Sequence, residues 1–139
     1  MLEWIPSALA NVVRVVVTWW RDRVRVNVEL DGPLGLDQPH GRQYMIVVAN
    51  RGKEPVGVVR AELEVVSAGK WRLVASPHSQ VTIAGRHQER WTLPATDVRA
   101  LLVNKNLYEA RVRGVARLGT GGTRRSEWQR IHRPRAASV

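Results

Sequence analysis

Residues 44–66 most restrict what this chain can fold into. Tyr44-Met-Ile-Val-Val-Ala-Asn50 is almost wholly apolar, Arg51-Gly52-Lys53-Glu54-Pro55 interrupts it, and a second β-rich run extends from Val56 to Val66. A short β-branched run without a polar side has to be covered on both faces, so residues 44–49 are predicted to form a central strand. In the second run Val59, Ala61, Leu63 and Val65 alternate with Arg60, Glu62 and Glu64. That period predicts a half-buried strand with the first set facing the core.

The same rhythm recurs along the chain. Val24, Val26, Val28 and Leu30 alternate with Arg23, Arg25, Asn27 and Glu29 until Asp31-Gly32-Pro33, where a Gly- and Pro-rich loop over 31–42 follows. Further strands are predicted at 71–75, 81–83, 88–93, 108–118 and 125–131, with Ala110, Val112, Gly114 and Ala116 facing inward. Gly119-Thr-Gly-Gly122 reads as a hairpin turn. Residues 96–103 break the rhythm and predict a short helix capped by Thr96, with Asp97 in its first turn. Short strands separated by frequent turns describe a mainly β chain, a sandwich or barrel.

The turn at Asn50-Arg51-Gly52, Pro55 leading into a long strand, and the corner at 96–103 before a long penultimate strand resemble bacterial immunoglobulin-like β-sandwich domains. The resemblance spans residues 23–131 and rests on pattern. It implies an antiparallel sandwich of 7–8 strands and carries no activity with it. The expected organisation is an N-terminal apolar helix over 1–21, the sandwich over 22–131 and a basic tail over 132–139.

Residues 4–20 are the second informative stretch. Ser7, Asn11, Arg14, Thr18 and Arg21 recur at steps of four and three and fall on one narrow helical stripe. Ile5, Ala8, Leu9, Val12, Val13, Val16, Trp19 and Trp20 cover the rest, and Pro6 suits a first helical turn. A helix apolar on nearly every side must be buried. Three burials are open: against protein, in a membrane interface, or across a bilayer. Arg14 near the centre opposes spanning. Trp4 and Trp19-Trp20 bracket the segment like an interfacial belt, and Arg21, Arg23 and Arg25 would hold the following chain on the cytoplasmic side. The predicted docking residues are Trp4, Ile5, Leu9, Val12, Val13, Val16, Trp19 and Trp20.

The net charge is +10, and 19 of the 22 basic residues are Arg. This balance favours an anionic partner, although an Arg-over-Lys bias is also what GC-rich coding produces. Cysteine is absent, which excludes disulfides, thiol catalysis and thiolate metal sites. His40, His78, His87 and His132 lack metal-ligand spacing. Asp31 and Asp37 share a loop without the Asp-x-Asp rhythm of a Ca²⁺ site. Gly119-Thr-Gly-Gly-Thr-Arg124 lacks the Gly-Lys-Ser/Thr and helix of a phosphate loop, and Ser79 and Ser126 lack a nucleophile-elbow context. No catalytic residue, cofactor or small-molecule substrate is expected.

Arginine clusters at the C-terminal end. Arg111, Arg113 and Arg117 alternate on one predicted strand; Arg124, Arg125 and Arg130 follow on the next, with Trp128 among them. If the two strands pair, they make a basic face with an aromatic, suited to single-stranded nucleic acid. The alternative is a solvated face with Trp128 filling the core, which the lack of any nucleic-acid signature motif favours. The expectation is therefore a non-catalytic structural or interaction module. Its helix docks on a partner subunit, for instance in a virion or other assembly, or on the cytoplasmic face of a bacterial inner membrane. The alternative is a nucleic-acid-binding protein using the 111–135 face of the two C-terminal strands, which also carries Arg133 and Arg135.

Overall fold

The computed structural model of the chain describes residues 25–135. The predicted helix at 4–20, with all its docking residues, lies outside them. Among the described residues there are nine strands and one helix: β1 (Val26–Asp31), β2 (Gln43–Asn50), β3 (Val56–Val66), β4 (Lys70–Val74), β5 (Val81–Ile83), β6 (Gln88–Pro94), α1 (Ala95–Asn104), β7 (Glu109–Leu118), β8 (Thr123–Arg125) and β9 (Gln129–His132).

They form two antiparallel sheets. One has the order β1-β2-β6; the other has the order β4-β3-β7-β8, with β5 also on β3 and β9 also on β7. The chain is mainly β and sandwich-like. β2 is central in its sheet, as its two-sided apolar sequence requires. Tyr44, Ile46 and Val48 are buried, and Met45, Val47 and Ala49 are half-buried on the other face. The core between the sheets holds Val28, Tyr44, Ile46, Val48, Leu63, Val65, Trp91, Val112 and Ile131 among others. Gly114 on β7 points into it, where a Cβ would stand 3.0 Å from the Ile46 side chain and 3.4 Å from Val28. The absent side chain lets the two sheets approach there.

Three expectations change. Val59 is exposed and Val58 is buried, because the β3–β7 register shifts between Val58 and Arg60. A bulge adds one residue and moves the next side chain to the other face. The helix starts at Ala95 with Pro94 at its N-cap and no side-chain cap, so Thr96 lies inside the first turn beside Asp97. The single last strand is two. β8 and β9 both lie along β7 but are separated at Ser126–Trp128, where Ser126 Oγ accepts the Gly114 N–H at 2.8 Å. The strand count therefore exceeds seven or eight. The other edge of this sheet is also divided: β4 pairs with Glu62–Val66 of β3, and β5 with Val56–Val58.

At one end of the molecule the β2–β3 loop, the β5–β6 turn and the start of β1 meet. Asn50 is buried there. Its Nδ2 donates to the carbonyls of Glu54 (2.7 Å) and Ile83 (3.1 Å), and its Oδ1 accepts the Gly52 N–H at 3.1 Å. The 119–122 segment closes as a hairpin turn, with the Leu118 N–H donating to the Gly122 carbonyl at 2.8 Å, and β8 follows it.

Candidate anion-binding face

The alternation on β7 places Arg111, Arg113, Val115 and Arg117 on the outer face of the six-stranded sheet, opposite Ala110, Val112, Gly114 and Ala116. β3 lies beside it in register. Glu64 stands across from Arg113 and Glu62 across from Val115, with Arg60 across from Arg117. On the other side of β7, Arg130 stands across from Arg111 and Arg125 across from Val115. The pairing thus gathers Arg111, Arg113, Arg117, Arg125 and Arg130 on one face. Arg124 stands across from inward-facing Ala116 and has the opposite parity. Its Nη1 donates to the adjacent Thr123 carbonyl at 3.1 Å.

This face carries two buried carboxylates. Glu62 is 2 % exposed and Glu64 is 3 % exposed, although both side chains are on the outer side of the sheet. Arginine stems cover them. Arg60 Nε and Arg117 Nε both donate to Glu62 Oε1 at 2.6 Å. Arg113 Nη2 donates to Glu64 Oε1 at 3.0 Å, and Lys70 Nζ lies 3.4 Å from the same oxygen. Burial pushes both carboxyl groups upward, but the hydrogen bonds and charges of these partners outweigh it and hold both below the ordinary carboxylate range. Four cations thus surround two anions, and the cluster keeps a positive excess.

Trp128 does not fill the core. It is 36 % exposed and lies over this face, its ring centroid 4.1 Å from the Arg113 guanidinium and 5.2 Å from that of Arg111. Its place follows from the interruption between β8 and β9, which releases residues 126–128 from the alternation that would have turned one of them inward. Arg113 Nε is buried without a hydrogen-bond partner, and stacking on the indole offsets part of that cost. Arg111, Arg125 and Arg130 are exposed and make no ion pair among the described residues. The face can therefore bind an anion through Arg111, Arg125 and Arg130 and offers an aromatic surface beside them. Sequence reasoning missed Glu62 and Glu64 as the acidic core of this face. Their outward parity on β3 is visible in the sequence, but the arginines that meet them come from β7 through long-range pairing.

Among the described residues no helix is long and apolar enough to cross a membrane, and no three metal-ligating side chains gather. No family model and no curated protein matches the chain. Among solved structures, the chain is similar to Spo0M, a sporulation control protein from Bacillus subtilis. The TM-score is 0.52 at 14% identity, over 80% of this chain and 50% of that one. The chain thus spans half the length of Spo0M, and the likeness is one of fold. A Bordetella pertussis protein assigned to ApaA superposes with a TM-score of 0.47 at 14% identity, over 80% of this chain and 94% of that one.

Proposed function

We propose that the chain is a non-catalytic interaction module that docks through its apolar segment 4–20, on a partner subunit of an assembly or on a membrane. The observation that carries this reading is the sequence of the segment itself. Trp4, Ile5, Leu9, Val12, Val13, Val16, Trp19 and Trp20 leave only a narrow polar stripe, and a helix apolar on nearly every side must be buried. The strand order supports an immunoglobulin-like body: first, second and sixth strands in one sheet, third and seventh central in the other.

Size-exclusion chromatography with light scattering, with and without detergent, tests the reading. The full chain is expected to run as an oligomer or to require detergent or vesicles, and Val12→Asp with Val16→Asp to convert it to a monomer. A monomer without detergent, unchanged by those substitutions, would overturn it.

A second reading is favoured by Trp128. A partly exposed indole beside Arg111, Arg125 and Arg130 suits single-stranded nucleic acid, with the phosphates on the arginines and a base on the ring. Binding of an oligonucleotide would weaken steeply with salt, and Trp128→Ala would remove about 1–3 kcal/mol. No shift of an oligonucleotide at low ionic strength sinks this reading.

A further inference from the structure

The end of the molecule built around Asn50 gathers basic side chains from three separate segments. Arg25 immediately precedes β1, Arg51 and Lys53 lie in the β2–β3 loop, and Arg86 and His87 lie in the β5–β6 turn. Backbone hydrogen bonds lock these segments together. The Arg51 N–H donates to the Arg25 carbonyl at 2.8 Å, the Arg86 N–H to the Gly52 carbonyl at 3.1 Å, and the Asn50 N–H to the His87 carbonyl at 2.9 Å. Gly85 packs against the Lys53 carbonyl so closely that a Cβ would collide with it.

Arg25, Ala49, Asn50, Arg51, Arg86, His87 and Gln88 line a shallow depression of about 710 Å³ with no acidic residue in it. Over residues 25, 51–55 and 84–87, Arg25, Arg51, Lys53 and Arg86 face one carboxylate, Glu54. None of these cations is in an ion pair among the described residues. Arg86 has φ 62°, a conformation that favours glycine, so a guanidinium stands where the backbone would be less strained without a side chain.

We propose that this basic end docks on an anionic phospholipid surface. The inference rests on the reading in which segment 4–20 seeks an apolar environment, and it names that environment. Two observations select lipid. One is charge: an unpaired cationic surface complements anionic head groups. The other is where the preceding chain arrives. Arg25 follows Trp20 by five residues, and an extended chain spans at most about 3.6 Å per residue, so Arg25 lies within roughly 18 Å of Trp20. With Trp19 and Trp20 at a membrane interface, as that reading has them, Arg25 and the two adjoining loops come within reach of the head groups. The depression holds no indole or phenol ring, unlike the face that carries Trp128.

The test uses the full chain with vesicles of phosphatidylcholine alone and of phosphatidylcholine with phosphatidylglycerol. One variant carries Arg25→Gln, Arg51→Gln and Arg86→Asn. A control carries Arg42→Gln, Arg72→Gln and Lys105→Gln, which removes the same charge elsewhere on the surface. Equal thermal melting of both establishes that they fold. The wild-type chain is expected to bind phosphatidylglycerol vesicles more tightly than neutral ones. The first variant should lose roughly a hundred-fold of that binding, and the control less than ten-fold.

Equal losses in the two variants would overturn the inference in favour of net charge alone. If the first variant loses nothing while Val12→Asp with Val16→Asp abolishes vesicle binding, the basic end fails and the docking segment stands. If the wild-type chain binds neither vesicle, the lipid inference fails. Binding of a single-stranded oligonucleotide that the first variant abolishes, without an effect on vesicles, would assign the surface to nucleic acid and overturn it as well.

Discussion

The carboxamide of Asn50 donates to the main-chain carbonyl of Ile83 at 3.1 Å, across 33 residues of sequence. A second bond from the same nitrogen, to Glu54, and one accepted from Gly52 make this residue the tie between two loops. Asn50→Ala would leave buried carbonyls and one N–H without partners. The expected loss is about 2–3 kcal/mol in denaturant unfolding, with the slope of the transition unchanged. Asn50→Asp should also destabilise, because a carboxylate cannot donate to those carbonyls.

Glu62 and Glu64 make the protein acid-sensitive. Their carboxyls are held below the ordinary glutamate value of 4.5, so the folded form releases their protons more readily than the unfolded chain does. Their stabilising contribution is complete above that value and is lost as pH falls through the lower folded-state pKa. Thermal melting between neutral pH and pH ~2 should show a steep fall on the acid side. Glu62→Gln with Glu64→Gln should flatten it.

Arg117→Met removes one of two donors to the buried Glu62 carboxylate and leaves Arg60. A loss of roughly 2 kcal/mol is expected at neutral pH, below that of breaking a fully buried pair because solvent reaches the arginines. Measured as a double-mutant cycle with Glu62→Gln, the two substitutions should couple strongly. Additive effects would contradict the pairing.

Tyr44 gives the opposite pH response. Its hydroxyl donates to the Pro33 carbonyl at 2.5 Å, and burial pushes its pKa from 10.0 up to about 12, against a small lowering by Arg42. The folded state holds this proton more tightly, so the contribution is complete below pH ~10 and lost as pH rises toward 12. Tyr44→Phe should remove that alkaline loss, at a cost of about 1 kcal/mol near neutrality.

Gly114→Val places a branched side chain where Ile46 and Val28 already meet β7. Overpacking of about 1–3 kcal/mol is expected in thermal or chemical unfolding. A neutral result would mean that the sheets can separate there without loss.

Much of this architecture was legible because it depends on local period. The two-sided apolar run at 44–49 identified β2 as central, and the alternation over Glu109–Leu118 correctly divided inward from outward residues. Long-range pairing is less visible. That Glu64 meets Arg113, 49 residues later, depends on β3 lying beside β7 in one register, and no local pattern encodes that. The bulge at Val58–Arg60 reverses the parity that Val59 shows in sequence. Trp128 reads as a core residue because the strand that holds it reads as continuous, and the break at 126–128 leaves it exposed instead. The basic end escaped for a different reason: Arg25, Arg51 and Arg86 each sit alone beside a turn, where a single arginine is ordinary. Only the meeting of three turns makes them a group.

The division of both outer strands of the larger sheet has a consequence for the protein's life at high concentration. An open β edge is a template on which another chain can add a strand, and long straight edges are where aggregation begins. Here one edge is cut into β4 and β5 and the other into β8 and β9, so neither offers more than the five consecutive residues of β4. The break at Ser126–Trp128 also puts an indole and its arginine neighbours beside that edge, where an incoming strand would have to displace them. The same irregularity that exposes Trp128 to a partner thus denies the larger sheet a continuation along that edge.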